Sequence, residues 1–156
     1  MKISNIHILL LRLALGGIFL SGGLEKLQEG WLQSSEPLKK SFEHFHQNAS
    51  GPQLTYLTSV ADPYAELWSK LVPIGETAVG VSLLLGLLAR FSSVVGLFMV
   101  LNFHAAVGNL FSLKFFGTAW AALIIVSFLI MILTRAGRWA GVDALLAKSN
   151  PKGIFL

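Results

Sequence analysis

An all-α integral membrane protein with four spans, folded as a four-helix bundle, is the architecture this sequence predicts. Three observations carry that expectation. Apolar residues make up 54% of the 156-residue chain and charged residues only 13%, against ~45–50% and ~25% in an ordinary soluble domain. The mean hydropathy of +0.67 excludes intrinsic disorder, which needs the opposite bias. Four apolar stretches, about 3–24, 67–88, 91–113 and 115–133, each approach the ~20 residues a helix needs to cross a bilayer. One transmembrane domain, 1–156, holds all four.

The first stretch follows Lys2 and has the look of a signal peptide. Arg12 inside the run, and the lack of an A-x-A-like site after it, make it a retained helix instead. A long loop of about 25–62 comes next. Within it, Ser35-Glu36-Pro37 reads as a helix start. Leu38, Phe42 and Phe45 then fall at i, i+4 and i+7, the apolar face of a short helix expected to lie at the membrane interface. Asn48, Ser50, Gly51 and Pro52 end it. Asp62-Pro63 opens the second long helix, which has a polar lead-in from Tyr64 and an apolar run from Leu71. Pro73 should kink this helix, because its ring excludes a hydrogen bond to the Ser69 carbonyl. Short connections at 89–90 and 112–117 make spans two, three and four antiparallel neighbours.

An even number of spans puts both termini on one side. That side carries Lys2, Arg90, Arg135, Arg138, Lys148 and Lys152 with one acid, Asp143. The other carries Lys26, Lys39, Lys40, Lys70 and Lys114 with six acids. The bases nearest the span ends, Arg90, Arg135 and Arg138, place both termini in the cytoplasm and the long loop in the periplasm.

Other classes fall away. Without cysteine the chain builds no disulfide, thiolate metal site, Fe–S cluster or CxxC redox centre. A net charge of +4 is spread thinly, with no basic patch interleaved with aromatics, so no nucleic-acid partner is expected. GGLEK lacks the spacing of a phosphate loop. The H-x-H of His44 and His46 reads as a solvated helix face, and no metal site is expected. Asn48-Ala49-Ser50 matches a glycosylation sequon, relevant only in a eukaryotic secretory setting. Gly16, Gly17, Gly22, Gly23, Gly75, Gly80 and Gly86 read as close-packing positions, and Trp31, Trp68 and Trp139 as interfacial anchors.

Ionisable residues within spans are costly and face a bundle interior. At ~1.5 Å per residue from the cytoplasmic span ends, Arg12 lies ~14 Å deep, Glu76 ~18 Å, and His104 and the polar-tipped Trp120 ~20 Å. That shared depth predicts one polar centre. Arg12 and Glu76 read either as an ion pair that fixes helix register or as a pair that handles protons and orients a ligand. His104, beside Asn102, either hydrogen-bonds a neighbouring helix or donates and accepts protons for a reducible ligand. Haem is not expected, because His7 near the membrane edge is no second axial ligand.

Three segments together resemble the DoxX/DoxD family of small four-helix membrane proteins: LRLALGGIFLSGGLEKL (11–27), GETAVGVSLLLGLLARFSSVVG (75–96) and AGRWAGVDALL (136–146). The resemblance implies a subunit of a prokaryotic redox system in the cytoplasmic membrane, with other subunits as partners. The loop before Asp62-Pro63 and the Asn102-Phe103 pair lean towards the DoxD branch, the membrane subunit of thiosulfate:quinone oxidoreductase. The resemblance carries no catalytic residue onto this chain. With quinone as cofactor, Glu76 and His104 are expected to move protons, Arg12 to hold Glu76 ionised, and Asn102 and Trp120 to hydrogen-bond or stack. The competing expectation is a non-catalytic assembly subunit of a larger membrane redox complex, in which the polar residues only fix packing.

Overall fold

The computed structural model describes residues 5–111, 118–134, 136–138 and 140–149, and among them every regular element is helical. Helix α1 (Asn5–Gln28) leads into a loop region made of α2 (Glu36–His46), α3 (Gly51–Tyr56), a π turn (Leu57–Ala61) and a 3-10 turn (Asp62–Tyr64). Then come α4 (Ala65–Leu85), α5 (Ala89–Val107), α6 (Ala119–Thr134) and the short α7 (Val142–Ser149). Both α1 and α5 are long and apolar enough to cross a membrane, and Trp120–Thr134 is a shorter apolar helix. Lys2, Ile3, Lys114, Arg135, Trp139, Lys152, the 112–117 connection and the start of the predicted fourth span lie outside the described residues.

Local sequence explains the helix limits. Asp62-Pro63 does precede α4, and α4 runs on through the buried Pro73 to Leu85. Gly86 then takes a left-handed φ of +65° and returns its N–H to Ser82 and Leu83, an ending that favours glycine. The predicted span overran to Leu88 because hydropathy is blind to this cap. Gly108, at φ +85°, likewise ends α5 at Val107 rather than at residue 113.

The long helices pack at close range. A Cβ on Gly23 would sit 2.6 Å from the Thr77 amide nitrogen, and one on Gly16 would sit 3.1 Å from that of Leu84; one on Gly80 would strike the Leu20 backbone. The pairs 16 with 84, 20 with 80 and 23 with 77 fix one antiparallel register for α1 and α4. On α5, Ser92 meets Ser82 of α4 at 2.5 Å and Met99 lies against Gly75, again antiparallel. Gly96 receives the Phe128 ring of α6, and Phe128 meets Phe19 of α1 edge-on at 5.1 Å. Leu15, Phe19, Val79, Leu83, Phe128 and Met131 form the buried core between these helices. Leu10, Leu71, Phe98, Leu123 and Leu133 point outward, an apolar surface compatible with a bilayer. In lipid, such close packing holds helices together, because tails are as apolar as leucine.

The loop folds back onto the ends of α4 and α5. Trp31, Leu38, Phe42, Leu57, Ala61, Ala65 and Ala106 are buried together, with Phe45, Tyr56 and Trp68 packed around them. The apolar face of α2 is therefore as predicted, but it packs on protein rather than on the membrane interface. Trp31 and Trp68 depart from the expected anchoring role for the same reason. Their indole N–H groups donate to Glu29 Oε2 at 2.9 Å and to the Val60 carbonyl at 3.1 Å.

Gly80→Ala should lower thermal stability by about 1–3 kcal/mol through overpacking against Leu20. Gly17→Ala, with nothing within 4 Å of its added Cβ, should be neutral or stabilising by up to ~1 kcal/mol. Thermal melts of the two variants in detergent check both.

Candidate functional site

The helix registers scatter the predicted polar centre. Glu76 faces α1 near residue 24, twelve residues and ~18 Å along the axis from Arg12. The α4–α5 register sets His104 level with residue 70, ~9 Å beyond Glu76 on the loop side. Trp120 is level with His104, but its side chain is 69% exposed and points away from the core. Depth counted from span ends assumed a common floor. In the fold α1 begins about ten residues below the end of α4, so the Arg12–Glu76 pair that the sequence predicts does not form.

Arg12 instead ties down the chain that follows α6. It is buried (2% exposed), and its guanidinium donates to the carbonyls of Ala136 at 3.1 Å and Ala140 at 2.7 Å. Asp143, fully buried, accepts from the N–H groups of Leu88 at 2.6 Å and Ala89 at 2.9 Å. Its own N–H donates to the Gly86 carbonyl at 2.9 Å. A carboxylate from α7 thus caps α5, satisfying donors every helix start leaves open. It also holds Leu88 in a left-handed conformation, φ +49°, that leucine rarely adopts. A Cβ on Gly137 would collide with the Asp143 carboxylate, and one on Gly86 would lie 2.6 Å from Arg12 Nη1. The glycines of the 136–146 motif make room for this knot.

Glu76 pairs with Lys26, a residue the sequence reading left out of the site. Nζ lies 2.8 Å from Oε2, with side-chain exposures of 24% and 20%. Lys26 also reaches the Gly22 carbonyl at 3.3 Å and stands 5.7 Å from the centre of the Trp31 ring, within cation–π range. A Cβ on Gly22 would approach Glu76 Oε2 to 3.5 Å, so the carboxylate lies directly beside the α1 backbone. An acid and a base held together, partly shielded and still reachable, can bind a carbonyl compound and pass it a proton.

On the loop side, Asn102 donates to the Phe98 carbonyl at 2.8 Å and accepts from the Tyr56 hydroxyl at 2.8 Å. Gln53 donates to the Ala106 carbonyl at 3.0 Å. Both bonds pin the loop to α5 and explain Asn102 without a ligand. Burial pushes the Tyr56 phenol up from its ordinary value. His104 is buried against the ring of Phe103, 5.3 Å away. His46 pairs with Asp62 at 2.8 Å, so the H-x-H is half engaged in tethering α2. Among the described residues no cluster of metal-binding side chains occurs.

Two residues the sequence reading passed over, Lys26 and Asp143, organise the two ends. Asp143 had one visible signal, as the lone acid on the terminal side. The DoxX family model matches residues 7–109, which include Arg12, Lys26, Glu76, Asn102 and His104. Comparison with curated proteins and with solved structures gives no match.

Asp143→Ala should lower stability by about 2–4 kcal/mol, combining a lost cap with an undercompensated Arg12; unfolding in mixed detergent measures it. Tyr56 predicts a pH effect. Its folded pKa is raised, so above about pH 10 the unfolded chain sheds the proton first and stability falls as pH rises. Tyr56→Phe should flatten that decline, read as melting temperature between pH 8 and 11.

Proposed function

The chain belongs to the DoxX family, and from that premise and the Lys26–Glu76 pair we propose a multi-pass subunit of a quinone-linked redox system in a prokaryotic cytoplasmic membrane. In this reading α1, α4, α5 and α6 are the four spans of one transmembrane bundle. The outward-facing leucines, valines and phenylalanines support it. Arg12, Arg90, Arg138 and Lys148 lie at the end where α1 begins and α7 sits, so this end is cytoplasmic and the loop region periplasmic.

The observation that carries the redox reading is the half-shielded ion pair between two spans. A quinone accepts two electrons and two protons as it becomes a quinol. Lys26 donates a hydrogen bond to one carbonyl oxygen of the substrate, and Glu76 Oε2 takes up a proton from loop-side water and passes it on, once for each of the two electrons. Trp31, 5.7 Å from the ammonium, adds a cation–π contact that helps hold it in place. The electrons come from a reduced donor on a partner subunit or in solution, thiosulfate being the one the DoxD resemblance implies. Lys26 takes over the part first expected of Arg12, and Trp120 has none.

A second reading, a non-catalytic assembly subunit, is favoured by one observation. The guanidinium of Arg12 is spent on backbone carbonyls of the tail, a purely architectural use of a buried charge.

Both readings expect Glu76→Gln and Lys26→Met to be tolerated less well singly than Lys26→Met with Glu76→Leu, since a lone charge would remain. They part on quinone. If the redox reading is right, the double variant stays folded in lipid nanodiscs and loses about tenfold or more of its quinone occupancy (≥ 1.4 kcal/mol), measured by native mass spectrometry. Unchanged occupancy sinks the redox reading and leaves the assembly role.

A further inference from the structure

We propose that the loop end of α4 carries a selective site for a membrane phospholipid with a phosphoethanolamine headgroup, its phosphate on Lys70 and its ammonium on Glu66. The inference rests on membrane insertion of α4 and is independent of quinone chemistry. Pro63, Tyr64, Glu66, Leu67 and Lys70 line a shallow hollow of about 360 Å³. Glu66 and Lys70 stand one turn apart on one helix face, the spacing at which such residues commonly pair. Here they do not pair, whereas Lys26 pairs with Glu76, Lys39 with Glu36 and His46 with Asp62. An anion and a cation therefore face the same hollow unneutralised by each other.

Position selects the ligand. By the registers above, the last residues of α1 and α5, Gln28 and Val107, lie level with residues 72 and 67 of α4. The hollow thus sits where its neighbouring helices end, the depth at which acyl chains give way to headgroups. Directly beneath it Leu67, Leu71 and Ile74 form an apolar strip about half exposed, ~10 Å long, on which an acyl chain can lie. Lys70 is one turn nearer the membrane centre than Glu66, ~6 Å. In a phosphoethanolamine lipid the phosphate likewise leaves the glycerol first and the ammonium extends beyond it. The order of charges along the helix matches the order of charges in the headgroup.

Chemistry narrows the class further. An anionic headgroup would gain Lys70 but meet the Glu66 carboxylate. A phosphocholine headgroup carries its charge on a quaternary nitrogen with no N–H to donate. A primary ammonium supplies three donors to a carboxylate and makes charge-assisted hydrogen bonds of the stronger sort.

Full-length protein in mild detergent, titrated separately with phosphatidylethanolamine, phosphatidylcholine and phosphatidylglycerol of identical acyl chains, tests this by native mass spectrometry. The expected result is about fivefold or greater preference for phosphatidylethanolamine, abolished by Glu66→Gln. Lys70→Gln should weaken binding of all three, and Glu36→Gln, on α2, should change nothing. Equal retention of the three lipids, or an undiminished preference in Glu66→Gln, overturns the proposal. Should a variant fail to fold, the preference of the unaltered protein decides alone. A loss of quinone occupancy in the Lys26 and Glu76 variants with lipid preference intact separates this site from the redox reading.

Discussion

The register between α1 and α4 is the constraint on which the rest depends. Glycines 16, 23 and 80 let the two backbones approach until a single methyl group would not fit. Side chains that small offer no knobs to slide over, so one alignment packs and its neighbours clash. Once it is set, each charge on α1 has only one stretch of α4 within reach. Lys26 finds Glu76, and Arg12 overshoots the end of α4 and finds the turn and tail beyond it. Two ionic assemblies at opposite ends follow from three missing side chains.

Much of this was legible in the residues themselves. Apolar periodicity gave α2 and its buried face, Asp62-Pro63 gave the start of α4, and the glycines were recognisable as packing positions. The family resemblance marked Arg12, Lys26 and Glu76 as belonging to conspicuous segments. What the residues could not give was the relative height of the helices. Hydropathy measures how long an apolar run is, and a leucine beyond a C-cap counts the same as one before it. Leu87 and Leu88 therefore lengthened the apparent span, and the depth of Glu76 was measured from a floor that α1 does not share. The same blindness hid the fate of Trp31 and Trp68. Nothing in a single sequence says that a loop rich in polar residues folds back to bury its aromatics.

The two ends differ in what their charges do. At the terminal end, the Arg12 guanidinium and the Asp143 carboxylate are both engaged by backbone groups, which suits a fixed joint. At the loop end, Lys26 and Glu76 satisfy one another and remain partly open, below a cap held by the buried cluster around Leu57 and by hydrogen bonds such as Tyr56 to Asn102 and His46 to Asp62.

The tail joint also bears on how the protein is made. The carbonyls that accept from Arg12 lie 124 and 128 residues further along the chain. At ~5–20 residues per second of synthesis, they emerge about 6–25 s after the arginine. During that interval a helix carrying an unsolvated guanidinium must wait at the membrane. Water or the insertion machinery has to shelter the charge until residues 136–143 arrive. Helix α1 is thus completed only when the tail arrives, and a ribosome that stops before residue 136 leaves Arg12 without the carbonyls that hold it.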